Sequence, residues 1–107
     1  MKRLELVDGA QVEAPSPGTV SDAVRTLSPR IEFVVLRETA GGFVQAAWGP
    51  SVDLPEGSYV LETAGEHVDE HVRAEVTDVD QLVAAFLGFL DGDRGWVDTF
   101  AWTPWTT

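Results

Sequence analysis

The chain has 107 residues, 7 Lys and Arg against 18 Asp and Glu, a formal charge of −11, and no cysteine. That length fits one domain with a modest core, and without cysteine there are no disulfides, thiol nucleophiles or thiolate metal sites. The acidity argues against binding nucleic acid or an anionic membrane, which call for a cationic footprint.

Residues 4–7 and 11–14 read as short strands around Asp8-Gly9, a type I′ turn signal. Pro15-Ser16-Pro17-Gly18 reads as a break. Thr19 or Ser21 is the expected cap of a short helix carrying Val20, Ala23, Val24 and Leu27 on one stripe, ended by Ser28-Pro29. Residues 31–37 and 43–48 form the clearest hairpin, turning at Thr39-Ala40-Gly41-Gly42. Gly49-Pro50 and Leu54-Pro55-Glu56-Gly57 mark a loop. A strand is expected over 58–63, with Tyr59, Leu61 and Thr63 on one face and Val60 and Glu62 on the other. Residues 68–76 alternate as well, Val68, Val72, Ala74 and Val76 against Asp69, His71, Arg73 and Glu75.

A helix is expected over 79–90. Thr77-Asp78-Val79-Asp80 supplies a cap and first-turn carboxylates, Val79, Leu82, Val83, Phe86 and Leu90 share a stripe, and Asp91-Gly92 stops it. Its remaining faces, with Gln81, Ala84, Ala85 and Gly88, are almost uncharged. They are covered either by the C-terminal segment of the same domain or by a second copy of the chain. A last strand is expected over 96–102, with Trp96, Asp98, Phe100 and Trp102 on one face. The order β-β-α-β-β-β-β-α-β predicts a single α+β domain, 1–107, in which both helices pack on one face of a curved antiparallel sheet. The longest apolar run, 82–90, is too short to span a bilayer. The N-terminal residues hold no signal-peptide core, so the expected location is cytoplasmic.

His67 and His71, with Glu66, Asp69 and Glu70, are the one cluster of metal-ligand residue types. On a helix the His-x-x-x-His spacing would chelate zinc. On a strand it sets the two Cα atoms about 13 Å apart, at about 3.3 Å per residue, so no metal is expected. The five serines (16, 21, 28, 51 and 58) fall at turns or caps. No nucleophile elbow, P-loop or dinucleotide-binding glycine motif occurs. The pairs Asp78/Asp80 and Asp91/Asp93 fit capping and helix-dipole roles. No catalytic residue and no cofactor is expected.

Charge is uneven along the chain. Residues 1–52 hold five basic and six acidic groups, whereas 53–107 hold twelve acids against only Arg73 and Arg94. A negative field of that kind either steers a basic partner or only solvates a face. Trp96, Trp102 and Trp105, with Phe100, crowd the C-terminal end. They either pack under the 79–90 helix or anchor a protein contact, and Trp105, behind Pro104, is the hardest to bury. The expected partner-contact residues are Asp69, Glu70, Glu75, Asp91, Asp93, Asp98 and Trp105.

Phe33-Val34-Val35-Leu36, Tyr59-Val60-Leu61-Glu62, the run from Asp80 to Leu90, then Gly92-Asp93, Trp96 and Phe100-Ala101-Trp102 are where the chain resembles a known family. Over residues 31–103 it looks like the small actinobacterial immunity proteins of polymorphic toxin systems. The family tends to carry an acid just after the last of these tryptophans, where this chain has Thr103. The resemblance implies a non-enzymatic inhibitor that binds a cognate toxin domain in the producing cell. Many such toxins act on nucleic acids and are basic. Two other readings stand beside it. One is a small ligand-binding or accessory domain with an apolar pocket between sheet and helices. The other is a homodimerisation module built on Ala84, Ala85 and Gly88.

Overall fold

The computed structural model describes residues 2–39, 41–65, 68–93 and 95–104, with the backbone alone at 51 and 68–70. Strand β1 (Lys2–Leu6) returns as β2 (Gln11–Glu13). The turn between them is not the two-residue type I′ form. The Gly9 N–H donates to the Leu6 carbonyl and the Leu6 N–H to the Ala10 carbonyl, which leaves three loop residues and a left-handed Gly9 at φ 89°. That geometry joins twisted strands through a bulge, and the Asp8 carboxylate fixes it by accepting the Ala10 N–H at 2.9 Å.

Helix α1 (Pro17–Arg25) begins where the sequence reads as a break. The cap is Ser16, whose Oγ accepts the Thr19 N–H at 3.2 Å, rather than Thr19 or Ser21. Pro17 fits the first turn because its missing N–H has no helical partner there. Val20 and Val24 are fully buried, as the stripe requires.

Strands β3 (Phe33–Glu38), β4 (Phe43–Trp48), β5 (Tyr59–Gly65), β6 (Val68–Val76) and β7 (Thr103–Pro104) complete a seven-stranded sheet in the order β2-β1-β3-β4-β5-β6-β7. Every pairing is antiparallel. Period-two alternation sends Leu4, Val34, Leu36, Val44, Ala46, Leu61 and Val76 to one face, where they form the core with both helices. The element order and layering match the sequence-based expectation.

Helix α2 (Val79–Asp91) is capped by Asp78, which accepts the Asp80 N–H at 2.9 Å, and ends at Gly92 in the left-handed region. Its buried side is Leu82, Val83, Ala85, Phe86 and Phe89. Val79 and Leu90, expected on the stripe, lie at its margin. Among the described residues no helix is long and apolar enough to cross a membrane.

The expected strand over 96–102 is replaced by a 3-10 helix, Gly95–Thr99, and, among the described residues of the C-terminal segment, Thr103 and Pro104 pair with β6. Trp96 explains the difference. Its indole sits on the α2 backbone at Gly88, where an added Cβ would stand 2.5 Å from Trp96 Cδ1. That seat holds the chain beside the end of α2, so it reaches the sheet edge late. Trp102 donates from Nε1 to the Val97 carbonyl at 2.6 Å, and its ring meets Trp96 and Phe100 edge-on at centroid distances of 6.1 and 5.6 Å.

The second cover of α2 is thus the C-terminal segment of its own domain. Ala84 is exposed, Ala85 is buried and Gly88 lies under Trp96, so these residues do not form the free small-residue face on which a homodimer was expected. Among the described residues, fully buried Leu36, Val44, Leu61, Leu82 and Phe86 fill the layer between sheet and helices, where an apolar pocket is the alternative expectation.

Candidate functional site

On the sheet face turned away from the helices, alternation would leave Val60 and Glu62 of β5 in water. Both are buried instead, at 7% and 8% exposure. Val60 shares a cavity wall with Val52 of the preceding 3-10 helix (Gly49–Val52), with Leu54, and with Ala101 and Thr103, whereas Glu62 shares one with Val52. The Gly49 N–H donates to the Ser58 carbonyl at 2.8 Å, so the loop is tied to the base of β5. A Cβ at Gly49 would run into that same carbonyl, which is why only glycine fits. The turn holds Val52 over the sheet. At 42% exposure, Val52 is the one exposed large apolar side chain among the described residues.

Beneath Val52 lies a cavity of about 400 Å³ lined by Gln45, Ala47, Val52, Val60, Glu62 and Arg73. A second lobe of about 290 Å³ shares Val52, Val60 and Arg73 and runs past Glu75 to Ala101 and Thr103. Glu62 is the buried charge of this cleft. Arg73 is its register partner on β6, and His71 Nε2 stands 3.7 Å from its Oε1. Burial pushes the Glu62 carboxyl above the ordinary carboxylate range, against the opposing pull of the His71 and Arg73 charges. Among the described residues, no donor reaches the Glu62 carboxylate within hydrogen-bonding distance.

A row of contacts continues across the same face. The His71 ring meets Phe43 edge-on at 5.3 Å, Arg37 lies over Phe43 at 5.7 Å, and Arg37 Nε donates to Glu5 at 3.2 Å. Burial alone would raise the Glu5 carboxyl, but hydrogen bonds from Arg37 and Arg3 hold it below its usual range. The cleft therefore offers an under-bonded carboxylate, an amide at Gln45 and an apolar wall of Ala47, Val52 and Val60. Such a set can recognise a hydrogen-bond donor carried on an aliphatic body.

The acids expected at a partner surface lie on different elements. Glu75 is exposed at the cleft edge. Asp91 and Asp93 are exposed at the C-terminal end of α2, a helix about 20 Å long. Asp93 also caps the following turn by accepting the Gly95 N–H at 3.0 Å. Asp98 is exposed on the second 3-10 helix. Asp69 and Glu70 belong to β6, but their side chains, like Trp105 and His67, lie outside the described residues. His71 is on a strand, as its alternation implied. Among the described residues, no three His, Asp or Glu side chains gather as a metal cage.

Glu62, Arg73, Gln45 and Val52 were not legible as a site. The available signal was the 58–63 and 68–76 pair read as a hairpin, which sets Glu62 opposite Arg73. Nothing local shows that a roof covers them. The chain matches no family model, no curated protein and no solved structure.

Proposed function

We propose that this protein is a non-enzymatic, immunity-type inhibitor, which binds and neutralises a basic toxin domain in the cytoplasm of the cell that makes both. The observation that carries the reading is the separation of charge in space. Strand order divides the sheet between β4 and β5, so the two halves of the sequence become two neighbouring halves of the sheet. In the first half, cations meet acids: Lys2 with Glu38 at 3.1 Å, Arg3 with Glu5 at 3.0 Å and Arg37 with Glu5 at 3.2 Å. In the second half, Asp80 pairs with Arg25 of α1 at 2.8 Å, whereas Glu75, Asp91 and Asp98 are exposed and, among the described residues, form no ion pair. An uncompensated negative surface speeds encounter with a cationic protein and repels nucleic acid and anionic lipid.

The test pairs this chain with the product of the gene beside its own, in a host whose growth that product arrests. The expected outcome is restored growth and a stoichiometric complex. Replacing Asp91 and Asp93 together by Asn should slow association several-fold at low salt, flatten its salt dependence and leave dissociation nearly unchanged. Persistent arrest with no complex would refute the reading.

A further inference from the structure

A carboxylate withdrawn from water needs donors to replace its hydration. Glu62 is 8% exposed, and the nearest ionisable side chain among the described residues, His71, has its Nε2 3.7 Å away, too far for a hydrogen bond. The carboxylate lines the 400 Å³ cavity, whose other walls are the aliphatic side chains of Ala47, Val52 and Val60 together with Gln45 and Arg73. Arg73 is exposed and lines both lobes, Glu75, two residues on along β6, is exposed in the outer one, and Glu62 is the carboxylate of the inner one.

We propose that this cleft receives a single arginine or lysine side chain of the basic partner protein, its head hydrogen-bonded to Glu62 and its stem laid along Ala47, Val52 and Val60. This rests on the partner being basic, as proposed above. A buried carboxylate supplies charge-assisted hydrogen bonds to such a head group. The exposed Val52 at the rim gives the partner an apolar contact beside the inserted chain.

The cleft can be probed without the partner. The ¹⁵N-labelled protein is titrated at low salt with Nα-acetyl-arginine-N-methylamide, and separately with agmatine and with butyrate. The blocked arginine should give saturable shifts at the amides of Gln45, Ala47, Val60 and Glu62, with a Kd on the order of a millimolar. Glu62→Gln keeps the side-chain shape, so a dispersed spectrum with binding weakened roughly tenfold or more is expected. Shifts that do not saturate, that spread over Glu75, Asp91 and Asp98, or that survive in Glu62→Gln would overturn the proposal. So would preferential binding of butyrate, which assigns the cleft to Arg73. Agmatine bound roughly a hundredfold more tightly than the blocked arginine would mark a free small-molecule site instead, and equally overturn it. Each of these outcomes concerns the cleft alone, whereas failure to restore growth concerns the inhibitor reading.

Discussion

Replacing Gly88 by alanine sets two physical effects of opposite sign against each other. In a helix interior alanine is favoured over glycine by roughly 1 kcal/mol, so a glycine on an open face would become more stable on substitution. The face of Gly88 is closed. A Cβ there would lie 2.5 Å from Trp96 Cδ1, 3.1 Å from its Cγ and 3.3 Å from its Cβ. Because the root of the side chain is among these atoms, rotating the indole gives no relief, and the 3-10 helix must shift with it. Overpacking of this kind costs about 1–3 kcal/mol, which leaves a net loss of about 0–2 kcal/mol after the helix-propensity gain. Urea unfolding followed by tryptophan fluorescence measures it. Trp96→Ala alone should cost about 3–5 kcal/mol, and in that background Gly88→Ala should turn stabilising because the obstacle is gone. The change of sign between backgrounds is the coupling that a double-mutant cycle isolates. If Gly88→Ala raises stability in the otherwise native chain, or if the two substitutions simply add, Trp96 is not seated on α2.

Phe86 is fully buried in the layer between α2 and the sheet, so Phe86→Ala should lose about 3–5 kcal/mol, a large part of a typical domain's 5–15 kcal/mol. Calorimetry showing an unchanged melting point would remove α2 from the core. Glu62 predicts a pH effect, since burial raises its carboxyl above the ordinary 4.5 despite His71 and Arg73. The folded protein then keeps that proton to higher pH than the unfolded chain. The favourable contribution is complete below the ordinary value and is lost as pH rises through the raised one. Glu62→Gln should therefore gain on the parent as pH rises across that interval, with His71 and Arg73 present in both proteins. A stability difference that does not change with pH would contradict the burial.

Local signals carried the element order because each element has its own punctuation. Asp78 and Gly92 bracket α2, and alternation marks β5 and β6 without ambiguity. Where the reading slipped, two local rules competed or a distant contact decided. Pro15-Ser16-Pro17 satisfies both a break and a helix start, and the Ser16 hydrogen bond to Thr19 selects the second. Trp96, Phe100 and Trp102 have strand spacing, yet the notch at Gly88 lies on another element and no window of sequence contains both. Glu62 shows the same limit at the site. Its alternation with Leu61 sets the two on opposite faces, but the cover that Val52 gives is a tertiary event. Exposure was the expectation from period two alone.

The two-faced character of β5 also bears on how the sheet assembles. Thr63, on the helix-side face, donates from Oγ1 to the Phe43 carbonyl at 2.8 Å, while Glu62 points the other way. A slip of β5 by one residue would exchange its faces, pushing the Glu62 charge beneath α2 and turning Leu61 outward. The acid that shapes the cleft also proofreads strand pairing. An apolar replacement such as Glu62→Val would relax that check and leave β5 freer to mispair as the protein folds.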